Sequence, residues 1–307
     1  MRFRSEFEER EFQKFKGAGV YADLMLDHTF KKAFDPDSEN KVCLVAMLNA
    51  LLEGEIDVPI KDVRSRDKER RGDSRENRST VFDLYCVDDR GRRFIIEMQI
   101  SVQDNIVERA VYYASQAVVS QGERGRGYDY ALSPVFTVVF TEFEAFRDRR
   151  FVRNAKLRES GGGALSGVLN FTFVELPKFG KSLSELESPL DKCLYALRHI
   201  KDLREMPANY TGSAFEGLFL AAKLARLTKE ELAMIDLEQK RKWDAYAVRK
   251  HNRNVRSKAI AEGRAEGLAK GQAEGRREIA NRMKQKGYPI QVITEISGLS
   301  EEEIQKL

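Results

Sequence analysis

The rhythm of apolar and polar positions changes at definite places along the chain, and each change predicts an element. Between Asp23 and Leu52 it is helical: "DHTFKKAF", a turn at "DPDSEN", then "KVCLVAMLNALLEG". In the second piece Val42, Val45, Ala46, Leu48 and Leu52 recur at three- and four-residue steps, and Gly54 falls just past the helix end. "VPIKDV" predicts a short strand. Residues 64–79, "RSRDKERRGDSRENRS", contain no apolar side chain and read as a loop between strands. Basic residues outnumber acidic ones there, so the loop is either a solvated insertion or an arm that touches phosphates. "STVFDLYCVD" and "RRFIIEMQIS" are strand-like runs joined at "DDRG", a hairpin signal.

"NIVERAVYYASQAVVSQG" predicts a helix with Ile106, Ala110, Tyr113, Ala117 and Val118 or Val119 on one side. "PVFTVVF" (134–140) and "VLNFTFVEL" (168–176) predict buried strands on either side of a charged, Gly-rich stretch. Helix, strand, hairpin, helix, strand, strand is the order of a mixed α/β domain. From residue 182 the chain turns helical. Residues 261–275 then place Gly263, Gly267, Gly271 and Gly275 at every fourth position. Each glycine costs a helix roughly 0.8–1 kcal/mol relative to Ala. The segment is therefore either a close helix–helix contact, with a second copy of the chain as one partner, or a weakly helical linker. In the tail Gly287 ends a helix, Pro289 opens the next, and Ser300 with Glu303 forms a capping box. Ile293, Ile296, Leu299, Ile304 and Leu307 give that tail an apolar seam, read as a self-packing or dimerising cap or as a DNA-contacting helical pair.

Composition narrows the classes. With 42% hydrophobic and 33% charged residues the chain reads as a folded protein, and no apolar run approaches a membrane span. The opening "MRFRSEFEER" lacks the apolar core of a secretory signal, so the expected compartment is the cytoplasm. Cys43, Cys86 and Cys193 are scattered, as are the three histidines, which argues against disulfides and zinc and leaves oxygen ligands for any metal. A net charge of +4 permits a nucleic-acid partner without requiring one. The expected divisions are an arm (1–20), an α/β core (21–180), a helical subdomain (181–257), and a Gly/Ala-striped helix with a terminal hairpin (258–307).

Within "FIIEMQI" (94–100), Phe94, Ile96, Met98 and Ile100 face one way, and Ile95, Glu97 and Gln99 the other. A carboxylate and an amide side by side on a strand face are costly to bury unless something binds them. On the preceding strand Asp83 reaches the level of Glu97 if the hairpin pairs through its turn at 88–91. Two carboxylates on neighbouring strands suit a hard divalent cation, with room left for water and a phosphate oxygen. Gln99 can orient that water but carries no charge. The alternative is a pair of solvated surface acids.

The combination "DHTFKKAF", "LNALL", "FDLYCVDDRGRRFIIEMQ", "ERAVYYASQ", "FTFVELPKF", "PLDKCLYAL" and the "AEG" repeats ending in "GLSEEEIQKL" resembles the PD-(D/E)XK nuclease family transposases, or recombination-promoting nucleases, from about residue 21 onward. The resemblance implies a restriction-endonuclease-like fold, with a mixed central sheet flanked by helices, followed by an α-helical C-terminal region. It implies Mg²⁺-dependent cleavage of DNA, with Mn²⁺ as a substitute, in recombination, mobile-element activity or defence. Asp83 takes the place of the family's metal-binding aspartate, Glu97 that of the acid in (D/E)-x-K, and Gln99 that of its lysine. Asp27 and Glu39 are both candidates for an assisting acid on the first core helix. Gln99 departs from the superfamily signature, though the transposase-like group resembles this chain in carrying it. The competing expectation is a catalytically silent nuclease fold that binds DNA or oligomerises through the 259–275 helix.

Overall fold

A computed structural model describes residues 6–66, 69–70, 80–122 and 131–307. The chain divides into two compact units, residues 1–243 and 244–307. In the first, the hydrophobic alternation of the sequence becomes a mixed sheet. Its strands are β1 (Val63–Ser65), β4 (Leu84–Asp88), β5 (Arg93–Gln99), β6 (Val135–Thr141), β7 (Val152–Arg158) and β8 (Ala164–Glu175). They lie side by side in the order β1-β4-β5-β6-β8-β7, with β2 (Glu69–Arg70) and β3 (Thr80–Val81) forming a separate short ladder. The β5/β6 and β6/β8 pairs are parallel; β1/β4, β4/β5 and β7/β8 are antiparallel.

A parallel centre requires cover on both faces. One face, carrying Phe94, Ile96, Met98, Phe136, Val138 and Phe140, joins the main core with α2 (Asp27–Ala33), α3 (Lys41–Leu51), α5 (Pro189–His199) and α6 (Glu216–Ala222). The other lies under α4 (Ile106–Val119), whose Ala110, Ala114 and Ala117 let the helix settle against Ile95, Val135 and Val139. Ser188 caps α5 through a reciprocal box with Asp191, and Pro189 takes the first turn, where its missing N–H is harmless.

The N-terminal helix α1 (Glu6–Lys16) brings Phe12 and Phe15 edge-on to Trp243, at ring separations of 5.5 and 5.3 Å. Immediately after it Gly17 has φ +86°, and a Cβ there would overlap the carbonyl oxygen of Lys201. Gly17→Ala is therefore expected to lose about 2–4 kcal/mol in urea unfolding, the sum of left-handed strain and backbone overlap.

Several local readings change. Nearly all of "VCLVAMLNALL" is apolar, so spacing alone misplaces the buried face of α3. Cys43, Leu44, Met47, Leu48 and Leu51 are buried, whereas Val42 is exposed. "VPIKDV" contributes only Val63 to β1. The charged stretch before β8 contains β7, "VRNAKLR", an edge strand whose outward charges hide its period. Of the polar run 64–79, residues 64–65 belong to β1, and residues 69–70 pair with 80–81. The proposed phosphate-contacting segment otherwise falls on 67–68 and 71–79, outside the described residues.

The helix α7 (Lys229–Gln285) begins in the first unit, and its remainder belongs to the second with α8 (Ile290–Ser297) and α9 (Glu301–Gln305). Residues 261–275 are helical, and around their four glycines a Cβ would meet nothing within 4 Å among the described residues. Ala280, Ile293 and Ile304 form the small terminal core with Met283, Ile290 and Leu299. The buried side of α8 runs through 290, 293 and 297. This leaves Ile296 60% exposed rather than in the seam, and Leu307 is likewise exposed. Gly287, at φ +77°, and the Ser300–Glu303 box stand where the sequence put them.

Candidate active site

Hairpin register decides the site. Leu84 lies opposite Ile96 and Tyr85 opposite Ile95, so one residue back Asp83 stands at the level of Glu97. Asp83 occupies the bend just before β4 rather than the strand itself. Two hydrogen bonds lock the level. The Asp83 N–H donates to Glu97 Oε1 at 3.2 Å, and the Met98 N–H donates to Asp83 Oδ2 at 2.9 Å. Glu97 is 2% exposed, while the Asp83 side chain keeps 22% of its surface open. The pair is thus a buried acid beside a reachable one.

Burial pushes the Glu97 carboxyl well above the usual carboxylate range, and the Asp83 charge adds to this. Asp83 is raised by burial as well, opposed by its Met98 hydrogen bond and raised further by Asp27. Two like-charged groups that share a dry place each resist ionising.

Gln99 Nε2 donates to Glu97 Oε2 at 3.3 Å, and Gln99 Oε1 accepts from Gln103 Nε2 at 3.0 Å. Gln103 in turn accepts from Arg109 Nη1, and Arg109 Nη2 lies 3.9 Å from Glu97 Oε2. The Arg109 guanidinium rests 5.0 Å above the Tyr113 ring. Between Glu97, Gln99, Arg109, Tyr113 and Val139 lies a cavity of about 10 Å³, the room of roughly one water. On the open side Lys31 Nζ is 2.6 Å from Asp27 Oδ1 and 4.0 Å from Asp83 Oδ1.

Of the two helix acids named from sequence, Asp27 is drawn to Asp83 through Lys31, whereas Glu39 lies exposed in the turn before α3. Lys31, Arg109 and Glu238 were not singled out. The Glu238 carboxylate accepts from the His28 N–H at 3.3 Å, and burial together with Asp27 raises its pKa. The four-residue spacing of Asp27 and Lys31 was the one available signal. Arg109 and Glu238 reach the site only through tertiary packing.

The donors are hard oxygens, two of them carboxylates whose mutual repulsion a divalent cation would relieve, which suits Mg²⁺. Among the described residues no group of three or more His, Cys, Asp or Glu side chains is placed to hold a metal. Any cation here would complete its shell with water, backbone oxygen or substrate, as Mg²⁺ commonly does. No helix among the described residues is long and apolar enough to cross a membrane.

A family model described as PD-(D/E)XK nuclease family transposase matches residues 24–251. No curated protein and no solved structure matches the chain. The matched span takes in the six-stranded sheet, its flanking helices and the Asp83–Glu97 pair. The chain belongs to the PD-(D/E)XK nuclease family transposases.

Proposed function

We propose that the chain is a divalent-metal-dependent DNA endonuclease acting in recombination, mobile-element activity or defence. The observation that carries this reading is the pairing of buried Glu97 with accessible Asp83, fixed by hydrogen bonds of 3.2 and 2.9 Å. Both carboxylates would hold Mg²⁺ or Mn²⁺. Once bound, the ion supplies a Lewis acid for phosphate oxygen and a water that ionises more readily. Gln99, held by Gln103, offers its amide to that water but cannot supply a charge. Lys31 on the open side and Arg109 on the closed side contribute the positive charge that an amide lacks. Asp27 holds Lys31 in place.

Supercoiled plasmid is expected to be nicked or linearised with Mg²⁺ or Mn²⁺ and left intact in EDTA. Lys31→Ala is expected to slow cleavage about 10-fold, less than the roughly 100-fold or more for removing a donor in direct contact with the developing charge, because Lys31 stands 4.0 Å from Asp83 and is shared with Asp27. Plasmid left intact with every divalent ion would sink the reading. The second reading, a catalytically silent nuclease fold that binds DNA or oligomerises, draws on Gln99 standing in the lysine position and already tied to Glu97. Metal-independent DNA retardation without cleavage would favour it. Self-association through 259–275 belongs to the same proposal, supported by the open space around Gly263, Gly267, Gly271 and Gly275, and sedimentation tests it.

A further inference from the structure

At the other end of β5, five residues and roughly 16 Å from Glu97, the sheet borders a second cavity. Its volume is about 480 Å³, within the range of small-ligand pockets. Arg92 forms part of its wall and is 7% exposed. Two of its nitrogens are committed: Nε donates to Asp88 Oδ2 at 2.6 Å and Nη1 to the Val58 carbonyl at 2.7 Å. Its Nη2 is buried and has no hydrogen-bond partner among the described residues. A buried guanidinium N–H left without an acceptor is costly, and a protein that carries one usually has an acceptor to offer it.

The rest of the lining suggests which acceptor. Arg90 and Arg158 stand exposed on the cavity wall, and among the described residues Arg158 engages only Nη1, on the Gly162 carbonyl at 2.8 Å. Lys156 is paired with Glu55 at 2.7 Å, so these two cancel. Arg92 is likewise paired with Asp88, which leaves Asp57 as the remaining acid of the wall against Arg90 and Arg158. Ile56, Val58, Phe136 and Leu157 provide apolar surface beside them. Arginines lining one cavity with apolar side chains suit a phosphate attached to a flat, weakly polar group.

We infer that this cavity is a second site, separate from the Asp83–Glu97 pair, that binds the phosphate of a nucleotide-sized molecule, with Arg92 in its wall and Arg90 and Arg158 exposed beside it. A free nucleotide and a nucleic-acid strand present the same phosphate chemistry to the arginines. The inference does not depend on the nuclease reading.

Isothermal titration of the full chain at low salt with AMP, inorganic phosphate and adenosine tests it. AMP is expected to bind one site per chain, at least about 10-fold more tightly than phosphate or adenosine alone. Gly167→Trp, placed where an added Cβ meets open space, fills the cavity and should weaken AMP at least about 10-fold. Arg92→Lys, which keeps a cation beside Asp88, should do the same, with circular dichroism confirming both folds. Glu97→Gln should leave AMP binding unchanged. Displacement of AMP by a short single-stranded oligonucleotide would assign the phosphate to a DNA strand, and persistence of AMP would assign it to a free nucleotide; either supports the site. Absence of saturable binding by both AMP and phosphate overturns it. So does an affinity indifferent to Gly167→Trp, or one lost with Glu97→Gln.

Discussion

Glu97→Gln is expected to abolish plasmid cleavage, by at least about 100-fold, while making the metal-free protein more stable. Both effects follow from one fact: a carboxylate with 2% of its surface exposed faces a second carboxylate across a hairpin. Gln keeps an acceptor oxygen for the Asp83 N–H and fits the same space, giving up only the long bond that Glu97 Oε2 accepts from Gln99 at 3.3 Å. It removes a charge that burial and Asp83 both oppose. The gain should be about 1 kcal/mol or more, read as a rise of roughly 2–4 °C in Tm. The pH dependence carries the sign. Folding raises the carboxyl pKa of Glu97, so above the ordinary carboxylate range the native state holds a proton that the unfolded chain has released. Native stability of the parent should therefore fall as pH rises through the window between the unfolded and the raised native pKa. The variant should lack that slope, and Mg²⁺ should flatten it in the parent by relieving the repulsion. A variant melting below the parent at neutral pH, or cutting as well as it does, would show that the pair is not the strained, metal-seeking site described here.

The pair was legible because strand periodicity and a hairpin turn are local signals. Alternation in "FIIEMQI" put Glu97 and Gln99 on one face, and Asp-Asp-Arg-Gly set the turn that brings Asp83 level with Glu97. Alternation could not say what covers that face. That it is dry, closed by the alanines of α4 and by Arg109, depends on a helix whose pattern gives its own buried side but not its seat on the sheet. Edge strand β7 escaped because outward charges erase the period-two signal, and β6 did not because every one of its residues is buried. Lys31 and Asp27 share a helical turn and could have been paired from spacing. Glu238 approaches Asp27 across more than two hundred residues of sequence, where no local rule reaches. Charge runs are the least legible of all: in "EQKRKWDAY" no pattern separates the one buried lysine from its solvated neighbours.

That lysine is Lys242, and Lys242→Met is expected to cost about 3–5 kcal/mol, the usual penalty for stripping one partner from a buried ion pair. Its Nζ lies 2.8 Å from Asp23 Oδ2 and 3.1 Å from Glu142 Oε1, with the Lys242 side chain 1% exposed. Asp23, 2% exposed, also meets Lys201 at 3.3 Å and accepts from the Met25 N–H at 3.0 Å. Burial alone would raise the Asp23 pKa, but Lys242 and Lys201 outweigh it and hold the carboxyl at about 2. With Lys242 gone, Asp23 keeps the Met25 N–H and a longer contact to Lys201, and Glu142 loses its cation in a place where its Oε2 already has no hydrogen-bond partner among the described residues. The consequence reaches the site, because the Glu142 N–H donates to the Gln99 carbonyl at 3.0 Å. Cleavage should therefore fall along with stability. The depressed Asp23 pKa stabilises the fold above the unfolded value, near 3.9, by about 2 kcal/mol, and this is lost as pH drops toward 2. Asp23→Asn should remove that acid-labile part, and the double variant Asp23→Asn/Lys242→Met should recover part of the single-variant loss, since the fully buried Asp23 charge is then gone while Glu142 still lacks its cation. Urea denaturation of the four proteins at neutral pH and at pH 3 measures the coupling. Additive losses, with no recovery in the double variant, would mean that packing of the lysine against Phe15 of α1, rather than the charge pair, holds this part of α7 in place.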